Sequence, residues 1–229
     1  MRLKVLCGGA LPSHILFDLD GTLVDSAPDL TLAVDRMLER LGREAVGEQK
    51  VRAWVGNGTE MLIRRALAGS LDDSAADRLP ASLHDEALAL FMSIYSECNG
   101  ETSRIFNGVV AFVDAMSEAG VKMAVVTNKL ASFTDQLLAR SALAEHFPVR
   151  ICGDTLAVMK PNPAPLHHAL ERLGGAIGQA LMIGDSETDI ASARAAGVPC
   201  VAVSYGYNHG KPIREQGADL VVDSLTELL

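Results

Sequence analysis

Short apolar segments alternate with helical patterns through the second half of the chain, and this alternation constrains the fold more than any other feature. Strand patterns occur at residues 121–128, 149–152, 180–185, 199–203 and 218–223. Helical patterns lie among them at residues 109–118, 132–141, 163–173 and 188–196. Apolar strands joined by helices form parallel sheets with both faces covered. The sequence therefore predicts an α/β fold built on a Rossmann-like parallel sheet.

An earlier apolar strand pattern, residues 14–17, ends in two carboxylates and a glycine, which are Asp18, Asp20 and Gly21. Ligands of open parallel sheets bind beyond the carboxyl ends of the strands, so this turn lies where a site is expected. Alternation along an extended chain points both carboxylates the same way. Two negative charges at so short a distance repel each other unless a cation lies between them or one carboxylate takes a proton.

Three interpretations of this turn fit its residues alone. It can be a solvated acidic turn, because Asp and Gly are common turn formers. It can be a site for a divalent cation. It can also combine a nucleophilic carboxylate with an acid–base carboxylate near a magnesium ion. The rest of the chain is needed to choose among them.

The stretch from residue 27 to residue 102 has no alternating strand pattern and is dominated by residues that favour helices. Apolar spacing predicts helices at residues 28–41, 49–55, 59–67, 75–79 and 83–95. We therefore predict an all-helical cap at 27–102, inserted into an α/β core formed by 13–26 and 103–229. Within and beside this block, Asp25, Asp29 and Asp35 occupy positions typical of capping or solvated side chains.

The net charge of −9 over 229 residues argues against nucleic acid or an anionic membrane as a partner. No apolar stretch is long enough to span a bilayer, and glycines and Pro12 interrupt the apolar residues of the N-terminal segment 1–12, which is too short for a signal sequence. The four cysteines have no spacing typical of zinc or redox sites, which indicates buried thiols in a reducing compartment; they are Cys7, Cys98, Cys152 and Cys200. We expect a cytoplasmic protein; the sequence does not indicate its oligomeric state.

Polar residues follow four of the predicted strands, and parallel strands place them at one edge of the sheet. Asp18 and Asp20 follow the first strand, whereas Thr127 and Asn128 end the second. Lys160 comes after the third strand, and the fourth ends in the acidic sequence GDSETD, which contains Asp185 and Asp189. Together they supply oxygen ligands for a hard cation, a hydroxyl and amides for phosphate oxygens, and a fixed positive charge.

These residues resemble the haloacid dehalogenase superfamily of phosphatases. The sequence DLDGT at 18–22 matches its first motif, Thr127 its second, Lys160 its third and GDSETD at 184–189 its fourth. The helical block corresponds to the small helical cap of that family. The resemblance covers the chain after about Ser13 and selects the catalytic interpretation of the acidic turn.

The resemblance implies phosphomonoester hydrolysis through an aspartyl-phosphate. Asp18 would attack phosphorus, and Asp20 would protonate the leaving oxygen and then deprotonate the hydrolytic water. Thr127 and Asn128 would hold the transferring phosphoryl group, and Lys160 would neutralise its charge.

The resemblance also implies a magnesium cofactor. Its ligands would be a carboxylate oxygen of Asp18, the backbone carbonyl of Asp20, and Asp185. Asp189 would orient the surrounding groups or Lys160 instead of binding the ion directly. The partner would be a small phosphorylated metabolite.

Within the superfamily, the chain is most similar to phosphoglycolate phosphatases, which implies 2-phosphoglycolate as substrate. A cap loop of Gly56, Asn57, Gly58 and Thr59 precedes a predicted helix and would bind the substrate carboxylate through free amides. The same loop also fits a simple turn in which Thr59 caps the helix. A sugar-phosphate phosphatase or phosphomutase on the same core is the alternative enzyme, and a signalling phosphoacceptor domain is a disfavoured alternative of another class.

Overall fold

A computed structural model describes residues 2–229, and Met1 of the N-terminal segment lies outside them. Six parallel strands form the main sheet in the order β5-β4-β1-β6-β7-β8, and β2 pairs with β3 in a separate antiparallel ribbon. The strands are β1 (His14–Phe17), β2 (Val24–Asp25), β3 (Arg104–Ile105), β4 (Lys122–Val126), β5 (Val149–Ile151), β6 (Ala180–Gly184), β7 (Cys200–Val203) and β8 (Leu220–Val222). The predicted α/β fold with a parallel sheet is confirmed.

The central strands are apolar on both faces because helices cover both faces. In β1, Ile15 and Phe17 pack into one hydrophobic cluster, while Leu16 packs into the cluster on the other side. In β6, Ile183 and Met182 separate in the same way. This arrangement explains why the sequence shows continuous apolar runs in place of alternation.

Ten α-helices surround the sheet or form the insertion within the described residues. They are α1 (Arg2–Leu6), α2 (Ala27–Arg40), α3 (Glu48–Trp54), α4 (Thr59–Ala68), α5 (Asp73–Ala76), α6 (Ala81–Cys98), α7 (Val109–Glu118), α8 (Ala131–Arg140), α9 (Ala164–Leu173) and α10 (Glu187–Ala196). Pro28 lies in the first turn of α2, and Gly42, at φ +69°, follows its end, as helix start and stop preferences require.

Helices α2, α3, α4 and α6 share a hydrophobic cluster of their own, separate from the two clusters on the faces of the sheet. Trp54 and Phe91 lie at its centre, and Phe133 and Tyr207 extend it from the sheet-bearing part of the chain. A helical cap is consistent with this cluster, and the division at residues 27 and 102 stays a prediction.

The base of the insertion holds the buried carboxylate of Asp29, for which the prediction of a capping or solvated position was wrong. Asp29 is fully buried. It accepts hydrogen bonds from the backbone N–H groups of Gly100, Thr102 and Ser103 at 2.9–3.0 Å, and from the hydroxyls of Thr102 and Ser103. It therefore ties the start of α2 to the chain segment that leaves the insertion.

Other differences from the sequence predictions are local. Helix α1 and the β2–β3 ribbon were not predicted, because each is only a few residues long and depends on tertiary packing; Leu3 of α1, for example, is fully buried in the core. Helix α4 begins at Thr59 with Gly58 as its N-cap, so Thr59 is not the capping residue. Across residues 2–229, no helix combines the length and hydrophobicity needed to cross a membrane.

Candidate active site

A buried lysine links two carboxylates at the carboxyl edge of the sheet. Lys160 Nζ lies 2.8 Å from Asp18 Oδ1, just after β1, and 2.7 Å from Asp189 Oδ1, in the first turn of α10. Each of the three residues is less than 9% exposed. Burial alone lowers the pKa of Lys160, but the two carboxylates outweigh it and raise that pKa above its ordinary value, so the lysine stays charged.

Asp189 takes its position from the capping of α10. Its Oδ2 accepts hydrogen bonds from the backbone N–H and hydroxyl of Ser186, the N-cap, while Ser186 accepts from the backbone N–H of Asp189. This capping box leaves Oδ1 for Lys160. Asp189 thus contacts Lys160, and its predicted role of orienting the metal's surroundings or Lys160 stays a prediction.

Asp185 sits at the end of β6 in a cradle formed by two glycines. A Cβ atom at Gly21 would lie 2.4 Å from Asp185 Oδ2, and one at Gly206 would lie 2.1 Å from Asp185 Cβ. The carboxylate accepts hydrogen bonds from the backbone N–H of Tyr207 at 2.7 Å and from the hydroxyl of Thr22 at 3.1 Å. Only glycine at those two positions lets the backbone approach Asp185 this closely.

Asp18, Asp185 and Asp189 form a buried acidic group whose donor oxygens lie within 4.8 Å of one another and could hold a metal ion. Burial, partly opposed by Lys160 and reinforced by Asp189, raises the pKa of Asp18 to about 6. Burial and the charges of Asp18 and Asp189 raise the pKa of Asp185 well above its ordinary value. Oxygen donors that repel one another in a buried cradle fit a hard divalent cation, which would favour their ionised forms.

Asp20 is held by a network that the sequence analysis missed. The hydroxyl of Ser26 donates to Asp20 Oδ1 at 2.5 Å, and Lys129 Nζ lies 3.1 and 3.3 Å from the two carboxylate oxygens. Lys129 also donates to the hydroxyl of Tyr95, on α6, at 2.6 Å. The available signal was the position of Lys129 directly after Thr127 and Asn128, but its partner Tyr95 lies 34 residues earlier in the chain.

Thr127 and Asn128 follow β4 at the same edge. Thr127 is 5% exposed, and its hydroxyl oxygen accepts a hydrogen bond from the backbone N–H of Lys129. The side chain of Asn128 bridges two loops: its Nδ2 donates to the carbonyls of Gly56 and Lys160, and its Oδ1 accepts from the backbone N–H of Lys160. The side chain of Asn128 is therefore a tether, and a contact with substrate would come from its backbone.

The predicted cap loop closes over these residues. A cavity of about 40 Å³ is lined by Asp18, Asp20, Leu30, Val55, Gly56, Gly58, Thr59, Leu62, Tyr95, Thr127, Asn128 and Lys129. Gly56, Gly58 and Thr59 thus line a cavity at the catalytic edge, and their binding of substrate stays a prediction. Asn57 does not line this cavity; its Oδ1 accepts from Arg65, and its Nδ2 lies 3.4 Å from the hydroxyl of Thr188.

Two arginines follow the loop and have different environments. Arg65 is buried and donates to the carbonyl of Trp54 as well as to Asn57, so it braces the loop from within. Arg64 forms an ion pair with Asp77 at the surface of the insertion. Neither arginine lines the cavity at the catalytic edge.

Comparison with known proteins identifies the family. A sequence profile of the haloacid dehalogenase-like hydrolases matches residues 15–203. The chain belongs to this family. It is 46% identical over 224 residues to a phosphoglycolate phosphatase of Pseudomonas syringae pv. syringae (strain B728a), with 98% of this chain and 81% of the relative covered. A phosphoglycolate phosphatase of Nitrosococcus oceani is 45% identical and covers 95% of each chain.

Solved structures show the same architecture. A crystal structure from Haemophilus somnus 129PT, described as a predicted phosphoglycolate phosphatase, superposes with a TM-score of 0.87 at 32% identity, covering 94% of this chain and 96% of the other. The predicted family, fold class and enzyme class, a phosphatase, are confirmed by these relatives.

Proposed function

We propose that this protein hydrolyses a small phosphomonoester, 2-phosphoglycolate, with Mg²⁺ through an aspartyl-phosphate on Asp18. The observation that carries the proposal is the buried arrangement in which Lys160 contacts both Asp18 and Asp189 beside the cradled Asp185. Such a site brings a nucleophile, a fixed positive charge and oxygen ligands for a cation to one point.

In the first step, an Asp18 carboxylate oxygen forms a bond to phosphorus as the bond from phosphorus to the ester oxygen breaks. Asp20 gives its proton to the departing oxygen, which leaves as an alcohol. Water then attacks the phosphorus of the aspartyl-phosphate, Asp20 takes the proton of that water, and phosphate and the free Asp18 carboxylate are released. Ser26 and Lys129 keep the carboxylate of Asp20 in place for both transfers.

Lys160 and Thr127 stabilise the phosphoryl group during transfer. The ammonium of Lys160 already lies 2.8 Å from Asp18, so it offsets charge on the group that Asp18 attacks. Thr127, buried at the end of β4, supplies its hydroxyl to a phosphoryl oxygen.

The carboxylates of Asp18 and Asp185, with the backbone carbonyl of Asp20, would hold Mg²⁺. When bound, the ion would screen the charge of Asp18 from the incoming phosphate dianion, an approach that otherwise costs several kcal/mol. Asp189 stays on Lys160 and on the N-cap of α10.

The substrate assignment rests on the similarity to phosphoglycolate phosphatases, one of which is 46% identical over 98% of this chain. The loop containing Gly56, Gly58 and Thr59 would cover that substrate.

The test is phosphate release from 2-phosphoglycolate and a panel of sugar phosphates, with Mg²⁺ and with a chelator. We expect the highest kcat/KM for 2-phosphoglycolate and loss of release on chelation. A preference for sugar phosphates would contradict the proposed substrate but not the proposed reaction. Release that is unaffected by chelation, or no release from any compound, would contradict the mechanism.

A further inference from the structure

Lys129 holds Asp20 in place and also lines the catalytic cavity itself. It follows β4 and Asn128, is 6% exposed, and lines the same cavity as Asp18 and Asp20. Among the described residues that line this cavity, Lys129 has the one cationic side chain. Because the net charge of the chain is −9, an anionic substrate must gain its attraction from local charges of this kind.

The hydrogen bonds of Lys129 leave capacity for a ligand. An ammonium has three N–H donors. Within residues 2–229, the polar partners of Lys129 Nζ are the carboxylate of Asp20, at 3.1 and 3.3 Å, and the hydroxyl of Tyr95, at 2.6 Å. When the two oxygens of Asp20 share one N–H, another N–H is left for a ligand. The Tyr95 hydroxyl, which accepts from Lys129, keeps its own O–H as a donor. Burial raises the pKa of Tyr95 well above its ordinary value, so that proton is retained.

The contact between Lys129 and Asp20 relates Lys129 to the position of the leaving oxygen. Asp20 must touch the leaving oxygen to protonate it, and Lys129 touches Asp20. In 2-phosphoglycolate the carboxylate is attached to the carbon that bears the leaving oxygen. We therefore expect the substrate carboxylate to lie near the ammonium of Lys129, which contacts Asp20.

We propose that Lys129 and Tyr95 together bind the substrate carboxylate and select 2-phosphoglycolate over phosphate esters that lack one. This inference rests on the proposed function and adds two residues that determine specificity. Lys129 follows the sheet, whereas Tyr95 belongs to α6 of the helical insertion, where it stacks on Phe91 and meets Phe133 edge-on. The carboxylate site is therefore complete only when the insertion lies against the sheet, as it does here.

Residues at the start of α4 line the same cavity. Gly58 and Thr59 line it from the insertion, and their N–H groups are neutral donors. Lys129 carries a full charge in a site that is almost closed to water, where one charge-assisted hydrogen bond to a carboxylate is stronger than a neutral one.

The experiment compares 2-phosphoglycolate with ethyl phosphate, which has the same two-carbon ester but no carboxylate, in the wild type and in Lys129→Met. We expect the ratio of kcat/KM for the two substrates to fall by roughly 10- to 150-fold, the value of one charge-assisted hydrogen bond. Loss of the Asp20 contact lowers kcat for both substrates, whereas the additional loss for 2-phosphoglycolate should be in KM, because the carboxylate is bound equally before and during the reaction. Lys129→Arg, which keeps the charge, should recover part of the ratio.

Two further variants control for folding and for general effects of losing a lysine. Tyr95→Phe keeps the aromatic packing and should lower the same ratio by a smaller factor, so the proposal remains testable if Lys129→Met does not fold. Lys122→Met is the matched control, because Lys122 lies at the start of β4 and bonds to the carbonyl of Leu173, away from the cavity. Its ratio should equal that of the wild type.

An equal loss of kcat/KM for both substrates in Lys129→Met would overturn the proposal, since Lys129 would then act only through Asp20. A wild type that hydrolyses ethyl phosphate as well as 2-phosphoglycolate would also overturn it and leave the phosphatase chemistry intact. A wild type that hydrolyses neither would refute the proposed function and, with it, the carboxylate site.

Discussion

Replacing Asp29 by Asn tests how the insertion is joined to the sheet. In the wild type, Oδ1 accepts from the backbone N–H of Thr102 and from its hydroxyl, while Oδ2 accepts from the backbone N–H groups of Gly100 and Ser103 and from the hydroxyl of Ser103. Asparagine has the same shape but offers one carbonyl and one NH₂ group. In either orientation, at least one backbone N–H at the base of the insertion faces a donor and loses its acceptor.

The expected cost follows from these contacts. One buried N–H left without an acceptor costs about 1–3 kcal/mol, and the remaining bonds lose their charge assistance, which adds about 1 kcal/mol. The amide is cheaper to bury than the carboxylate, and this offsets part of the loss. We therefore expect the free energy of unfolding to fall by about 2–3 kcal/mol, which at a urea dependence of about 2 kcal/mol/M lowers the midpoint by about 1 M or more.

Urea unfolding followed by the fluorescence of Trp54 provides the assay. Trp54 is the single tryptophan of the chain and is buried within the helical insertion, so its emission reports the part of the molecule that Asp29 anchors. Asp77→Asn is the matched control, since the Asp77 side chain is 68% exposed in its ion pair with Arg64 and should cost less than about 1 kcal/mol. An Asp29→Asn midpoint equal to that of Asp77→Asn would refute the reasoning.

Three other predictions concern the site and the effect of pH. Asp18→Asn should abolish phosphate release while circular dichroism shows an intact fold; normal turnover would exclude Asp18 as the nucleophile. Gly206→Ala places a Cβ 2.1 Å from Asp185 Cβ and should raise the Mg²⁺ concentration for half-maximal activity by about 10- to 100-fold, whereas Gly178→Ala, with no atom within 4 Å of its Cβ, should not. Burial alone raises the pKa of Asp29, but hydrogen bonds from Ser103 and Thr102 outweigh it and lower that pKa. Asp29 therefore stabilises the fold fully above its unfolded-state pKa, about 3.9, and this contribution is lost as the pH falls through the folded value. The stability difference between wild type and Asp29→Asn should shrink below about pH 4 in urea titrations, and a constant difference would contradict the assignment.

The parts of the fold that the sequence predicted well depend on local patterns. Helix α7 has the predicted bounds, and β1 lies where the apolar run before Asp18 placed it, because both signals are contained in consecutive residues. The direction of the parallel strands alone determines which residues lie at the carboxyl edge of the sheet. Asp18, Lys160 and Asp185 were therefore expected to lie together there.

The parts that were missed depend on partners far along the chain. In the sequence, Lys129 is an ordinary polar residue, because its partner Tyr95 lies 34 residues earlier and contacts it only in the folded structure. In the sequence, Asp29 has the features of a solvated residue in the first turn of a helix. Its hydrogen-bond partners lie 71 to 74 positions later in the chain and contact it only in the folded structure. No local pattern encodes such contacts, because they arise only when the insertion packs on the sheet.

The short β2–β3 ribbon has a consequence for how proteins of this design can be altered. Val24 pairs with Ile105 and Asp25 with Arg104, so the chain enters and leaves the helical insertion at adjacent points. Antiparallel neighbours of this kind can be joined by a two-residue turn. We therefore expect that another insertion could be joined here without lengthening or rerouting the chain of the sheet. Such an exchange would remove Tyr95, which contacts Lys129, whereas Asp18 and Lys160 would keep their contact with each other.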